Sequence, residues 1–296
     1  MLLGVPKMVV SLTNRGGSAE AIQHHYDVSN EFYALWLDSS LTYSSGLWDT
    51  LTLDDDLETA QQRKIDWHLN ASGATTGKRL LDIGCGWGAL LQSHINSDTH
   101  NDATGLTLSH NQYLHIRALN IPNIKVCEES WIVHQPTVSY DAIVSVGAFE
   151  HFAQPGASLE EKVSVYREFF SRCQKWLKPK GKLSLQTIAY GSLNAEDKNV
   201  FTQTEIFPDS ELPRPGEIFM ASDGLFEIKT YHNDRLHYGK TCDLWLKNLR
   251  RQKLLIVEQF GEELYRKYEQ YLKLAVAGFY FGQILLLRFE MQSLVK

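Results

Sequence analysis

The chain has 296 residues, 43% hydrophobic and 22% charged, with a formal net charge of −6; this is a globular composition whose length fits one large domain. The acidic balance leaves no broad basic face, so nucleic acid is not an expected partner. The four cysteines, Cys85, Cys127, Cys173 and Cys242, are widely spaced without a C-x-x-C pair, which argues against a zinc site or disulfide framework and for a reduced, cytoplasmic setting.

Residues 1–17, MLLGVPKMVVSLTNRGG, carry Pro6 and Lys7 inside their apolar part and no cleavage signature, and read as a flexible arm. Residues 18–70 read as a helical cap. Ala19–Leu37 spaces Ile22, Tyr26, Phe32, Leu35 and Trp36 by roughly three and four, predicting one or two short helices, and Leu57–Leu69 has a clearer apolar face. From residue 71 to 296 the pattern is one catalytic unit. Strands are predicted at Arg79–Ile83, Ala103–Leu108, Ile124–Cys127, Ala142–Val146 and Lys182–Ile188. Helices begin at Ala89 and after the capping residue Ser109, and another spans Val163–Leu177, ended by Pro179 and Gly181. This alternation predicts a mainly parallel sheet covered on both faces. After residue 188 come additions to this unit. Tyr190–Pro215 is polar and broken by glycine and proline, Phe226–Asp234 reads as a strand, and Thr241–Leu249 and Glu263–Leu287 read as long helices, the second interrupted near Gly278. The most apolar late segment, Leu274–Leu287, falls short of the ~20 residues that span a bilayer, so no integral membrane segment is expected.

The chemistry concentrates in LLDIGCGWGALL, Leu80–Leu91. An apolar strand ends at Asp82, a turn containing Gly84, Cys85, Gly86 and Gly88 follows, and a helix begins; such a unit brings backbone close to a nucleotide. In open α/β sheets ligands sit at the carboxyl ends of the strands. The further candidates are therefore Thr107, Leu108 and Gln112 after the second strand, and Glu150 and His151 after the fourth. No acid follows the second strand, which argues against a dinucleotide-dependent oxidoreductase. Glu150 reads either as a helix-capping carboxylate or as an active-site group, and His151 as a loop anchor or a participant. His24 and His25 have no carboxylate or cysteine at ligand spacing, so no metal is expected. The aromatic run Tyr26, Phe32, Tyr33, Trp36, Tyr43 and Trp48 reads as a packed cap, a cavity wall, or both.

The order Asp-x-Gly-x-Gly-x-Gly resembles motif I of the class I S-adenosylmethionine (SAM) methyltransferases. HHYDVSNEFYALWLDSSLTYSS (His24–Ser45), GLTLSHNQ (Gly105–Gln112), YDAIVSVGAFEHF (Tyr140–Phe152), EIFPDSELP (Glu205–Pro213) and HYGKTCDLW (His237–Trp245) follow in the order seen in the cyclopropane fatty acid and mycolic acid cyclopropane synthases. The resemblance covers about His24 to Gln292. It implies a Rossmann-like, seven-stranded, mainly parallel sheet with a helical N-terminal cap and C-terminal helical additions. It further implies that Tyr43 and Ser44 cover the amino-acid end of SAM and that Gly84 and Gly86 pass beneath its methionine and ribose, with Asp82, Cys85 and Gly88 of the same turn as further cofactor-binding candidates. Thr107, Leu108 and Gln112 would hold ribose and adenine, and Trp131 would line the adenine pocket. Glu150, Ile188, Tyr238 and a carbonyl near Ser45 match positions that hold bicarbonate in the family, with Tyr26 lining the pocket. The family's histidine two residues before the isoleucine is replaced by Gln186, which carries no titratable proton.

The expected function is a SAM-dependent methyltransferase, with C-methylation of a hydrophobic small molecule (an alkene, isoprenoid or indole-like ring) as the leading reading. The alternatives are a cyclopropane synthase on unsaturated lipid acyl chains, a small-molecule N-methyltransferase and a non-catalytic SAM-binding module. Self-association into a homo-oligomer is compatible with the sequence.

Overall fold

The computed structural model describes residues 29–49, 55–193 and 211–294. The arm predicted over residues 1–17, Tyr26 and most of Glu205–Pro213 lie outside them. The elements in chain order are α1 (Asn30–Ala34), α2 (Leu57–Ser72), β1 (Arg79–Ile83), α3 (Ala89–Ser97), β2 (Asp102–Thr107), α4 (His110–Leu119), β3 (Ile124–Glu128), β4 (Tyr140–Val146), α5 (Leu159–Trp176), β5 (Leu177–Tyr190), α6 (Pro215–Ser222), β6 (Phe226–Asn233), α7 (Arg235–Arg251), α8 (Lys253–Phe260), α9 (Glu262–Tyr280) and β7 (Ile284–Ser293). Local chemistry sets several boundaries. Asp56 accepts from the Thr59 amide at 2.7 Å to start α2, and Gly73, at φ 70°, ends it. Ser158 and Glu161 form a reciprocal capping box at the start of α5.

The seven strands form one sheet in the order β3-β2-β1-β4-β5-β7-β6. Strands β1 to β5 pair in parallel, and β7 runs antiparallel between β5 and β6. Side chains alternate between the faces. Leu81, Ile83 and Ile143 join Phe169 and Phe170 of α5 in the largest core cluster, whereas Leu80, Ala142 and Val144 pack with Ile65 and Leu69 of α2. A third packed region is aromatic. Phe32, Tyr33 and Trp36 interlock with Trp245 of α7 and with Tyr268 and Phe279 of α9.

The main departure from the sequence expectation is at the C-terminal side. The helix expected over Glu263–Leu287 ends at Tyr280; Gly282 turns at φ 71°, and Ile284–Leu287 enters the sheet. A short continuous apolar run satisfies a buried strand as well as a helix, and periodicity does not separate the two. Pro215, read as a breaker, occupies the first turn of α6, where its missing amide has no cost. The helix expected from Val163 starts at Leu159 because of the capping box, and α8 was not anticipated.

Gly105 lies in β2 where a Cβ would stand 2.6 Å from Leu91 Cδ1 and 2.8 Å from Cys85 Sγ. Gly105→Ala is expected to cost about 1–3 kcal/mol through overpacking. A lower urea midpoint at unchanged slope is the expected result, and an unchanged midpoint would contradict this packing of α3 on the sheet.

Candidate active site

The parallel strands β1, β2 and β4 end on one side of the sheet, at the point where the chain order reverses between β1 and β4. A cavity opens there, bounded by the turn after β1, the ends of β2 and β4, and the loop 41–44. The glycine turn takes its shape from left-handed backbone: φ is 83° at Gly84, 55° at Gly86 and 85° at Gly88. The Gly84 and Cys85 amides donate to Leu106 O at 3.0 and 2.9 Å, anchoring the turn to β2. A Cβ on Gly84 would stand 2.6 Å from Ala148 Cβ, so the floor closes only around glycine. At the end of β2, Ser109 caps α4, and Thr107 Oγ1 donates to Gln112 Oε1 at 2.8 Å.

Tyr43, Ser44, Asp82, Gly84, Cys85, Gly86, Thr107, Leu108, Gln112, Trp131 and His151 all line this cavity. Gly88 does not; it caps α3 and leaves room for Ile116 Cγ1, which a Cβ would meet at 3.0 Å. Glu150, Gln186 and Tyr238 lie in a second layer. Glu150 Oε1 accepts from the Ile188 amide at 2.5 Å, while its Oε2 is buried without a hydrogen-bond partner among the described residues. Tyr238 stacks on Phe279 with ring centroids 4.4 Å apart, in the aromatic cluster that Ile188 also contacts. Tyr43 and Trp87 belong to both the cavity wall and this cluster.

Sequence reasoning missed four functional-looking residues. Trp87 lines the cavity, and its Nε1 donates to Asn30 Oδ1 at 2.7 Å, fastening α1 to the glycine turn. Lys64 lines the cavity from α2 and donates to Ser44 Oγ at 3.1 Å. His68, one turn on, lies 3.2 Å from Gln186 Oε1 and 2.8 Å from Ser184 Oγ. Arg288 of β7 donates from Nε to Gln186 Oε1 at 2.7 Å and from Nη1 to Asp234 Oδ2 at 2.5 Å. The available signal was a lysine and a histidine on the same helical stripe as Ile65 and Leu69, where charged side chains are rare unless partnered.

Burial dominates the electrostatics. It raises Asp82 to about 7, opposed by Lys64, and raises Glu150 to about 7, opposed chiefly by the Ile188 amide. It lowers Lys64 to about 8 and His151 to about 4. His68 is also pushed well below its ordinary value by burial, with Arg288 and Lys64 adding to the effect. A neutral imidazole donating from Nε2 to Gln186 and accepting from Ser184 meets both of its contacts.

The cavity suits SAM: bare backbone at the glycine turn, an aromatic wall at Trp131, paired polar groups at Thr107 and Gln112, and buried charges of both signs at Asp82 and Lys64. Bicarbonate fits less well. The Ile188 amide is taken by Glu150, Gln186 Oε1 by Arg288, and the Ser45 carbonyl accepts from Arg288 Nη2 at 3.4 Å. Three of the groups expected to hold the anion are thus engaged within the protein, whereas Glu150 Oε2 has no partner among the described residues.

Fold and site together define a class I SAM-dependent methyltransferase. The family model for mycolic acid cyclopropane synthetase matches residues 13–289, and the chain belongs to that family. It is 35% identical over 275 residues to cyclopropane mycolic acid synthase 2 of Mycobacterium leprae, covering 86% of this chain and 87% of that protein. The solved cyclopropane synthase MmaA2 from Mycobacterium tuberculosis superposes with a TM-score of 0.83 at 32% identity, over 94% of this chain and 99% of that one. Mycolic acid cyclopropane synthase CmaA1, solved with S-adenosylhomocysteine (SAH) and CTAB, gives a TM-score of 0.82 at 31% identity, with the same coverage.

Two outcomes test this site. Gly84→Val is expected to abolish SAH binding in calorimetry, because the added side chain meets Ala148; unchanged affinity would remove the turn from the cofactor site. The second concerns Glu150, which retains its proton to about pH 7 when folded but titrates near 4.5 in the unfolded chain. Between those values the folded state holds the extra proton, so this group's contribution falls as pH rises. Glu150→Gln is therefore expected to gain stability on wild type between pH 5 and pH 8, by up to about 3 kcal/mol. Denaturation at the two pH values checks it; a difference independent of pH would contradict it.

Proposed function

We propose that the protein transfers the methyl group of SAM to a carbon–carbon double bond of an unsaturated hydrocarbon chain and closes it to a cyclopropane. The observation that carries this reading is Glu150, a buried carboxylate with one oxygen unengaged among the described residues. It sits between the cavity rim, lined by its neighbours Ala148 and His151, and the aromatic cluster that contacts Ile188. The relatives, named as cyclopropane synthases, favour this reading over the small-molecule C-methylation expected first from sequence.

SAM supplies an electrophilic methyl on a sulfonium. The chain's own contribution begins with alignment, which at best is worth roughly 7–11 kcal/mol. Tyr43 and Ser44 cover the amino-acid end, with Asp82 facing its ammonium. Thr107, Leu108 and Gln112 hold the ribose and adenine, with Trp131 on the adenine side. The acceptor lies on the aromatic side, reached past Tyr43 and Trp87. Attack by an alkene leaves a carbocation on the acceptor, and desolvated aromatic faces stabilise such a cation by roughly 2 kcal/mol each. Ring closure requires loss of a proton from the transferred methyl group. Glu150, ionised above about pH 7, is the base. Gln186, bound to Arg288 and His68, holds the sheet beside Ile188 and takes no proton itself. His151, held neutral by burial, keeps the cavity rim uncharged.

The test is incubation with SAM carrying a trideuterated methyl group and lipid dispersions bearing cis-unsaturated chains, read by mass spectrometry. Retention of two deuterons marks the cyclopropane, and retention of all three marks a methylated alkene. Glu150→Gln is expected to lower turnover by about 10²–10⁴-fold while SAH binding persists. Added bicarbonate is expected to leave the wild-type rate in degassed buffer unchanged. Methylation confined to a small aromatic or amine acceptor would overturn the proposal in favour of the small-molecule reading.

A further inference from the structure

We infer that Lys64 is the residue that recognises the carboxylate of the cofactor's methionyl group, so that the cavity reads the complete amino acid and not adenosine alone. The inference rests on SAM occupying this cavity. Lys64 is 3% exposed and projects from α2 into the cavity wall. Its hydrogen bond is to the Ser44 hydroxyl, and no carboxylate among the described residues lies within 4.0 Å of it. Buried Asp38 and Asp82 attract this ammonium from beyond contact distance, but burial outweighs them, so its desolvation is only partly repaid. Such an arrangement suits a site that awaits an anion. The neighbouring architecture points the same way. Gln61, three residues earlier on the same helical stripe, donates to Thr42 O at 3.2 Å and Ser44 O at 2.8 Å. These bonds fix the loop so that Ser44 Oγ and Lys64 Nζ sit side by side at the cavity wall. Asp82, buried in the same cavity, supplies the opposite charge. A buried cation and a buried anion sharing one small cavity match a zwitterion, and the methionyl end of SAM is the part of the molecule that is one.

The alternative is that Lys64 only supports Ser44. Calorimetry with three probes separates the two: SAH, its decarboxylated analogue, which keeps the ammonium but lacks the carboxylate, and 5′-methylthioadenosine, which lacks the whole amino acid. Wild type is expected to prefer SAH over both. Lys64→Met is expected to weaken SAH roughly 10- to 100-fold, the scale of a charge-assisted hydrogen bond. It should leave 5′-methylthioadenosine unchanged, which also shows that the variant is folded, and bind the decarboxylated analogue as well as or better than wild type. Lys64→Arg should recover part of the preference for SAH. A methionine variant that weakens all three probes equally, or none, would overturn the assignment of Lys64 while leaving the cofactor site in place. A wild-type protein that binds none of the three would overturn the cofactor site and this inference with it.

Discussion

The structure turns on one buried guanidinium. Arg288 is 1% exposed, in the strand that lies between β5 and β6. A charge so placed persists only where its donors are met. Here they are met by groups from separate parts of the chain: Gln186 on β5, Asp234 at the start of α7, and the carbonyls of Ser45 and Gly46 in the N-terminal loop. Removing any partner would leave a charge in the interior, so the sheet, the C-terminal helices and the loop over the cavity are fixed relative to one another. The register of β7 matters accordingly. A slip of one residue would turn Arg288 to the opposite face and break all of these contacts at once.

Helix α2 extends this frame toward the cofactor. Gln61, Lys64 and His68 share one buried stripe, reaching in turn the loop backbone, the cavity and Gln186. A helix that in isolation looks like a plain cap on the sheet thus connects the N-terminal loop, the ligand cavity and the polar interior beside β5. The aromatic cluster plays the complementary part. It fills the space between the N-terminal segment and helices α7 and α9 with rings in edge-on and tilted contact, such as Tyr33 against Tyr43 at 5.3 Å and Trp36 against Trp245 at 5.9 Å.

What could be read from the sequence was whatever short-range chemistry decides. Strand β1, the glycine turn and the Ser109 cap each announce themselves within a few residues. So do the alternating strands β2 to β5, because each is bounded by turn residues. The placement of β7 was not legible, since Ile284–Leu287 suits a buried helix as well as a strand and only its neighbours in the sheet decide. Gln186 read as the loss of an ionisable group. The imidazole beside it comes from His68, 118 positions away, and the guanidinium from Arg288, 102 positions on. No local pattern marks such pairings. Lys64 is ambiguous for a different reason: its place on the stripe with Ile65 and Leu69 points inward, a lysine on an amphipathic helix ordinarily faces solvent, and the cavity on its inner side decides.

The insertion of β7 between β5 and β6 also constrains the route by which the chain reaches this structure. Strands β1 to β5 can assemble by successive right-handed crossovers as the chain lengthens. Among the described residues strand β6 has no partner in the sheet except β7, which follows it by fifty residues of mostly helical chain. Until β7 threads into place, both β5 and β6 present open edges, and open edges recruit other chains. Arg288 arrives on that same strand, so the carbonyls of Ser45 and Gly46 gain their guanidinium contact only with that pairing, whereas the Gln61 contacts to the same loop come from α2. One strand thus completes both the antiparallel part of the sheet and the polar frame behind the cavity loop, so a lesion in β7 is felt at both places.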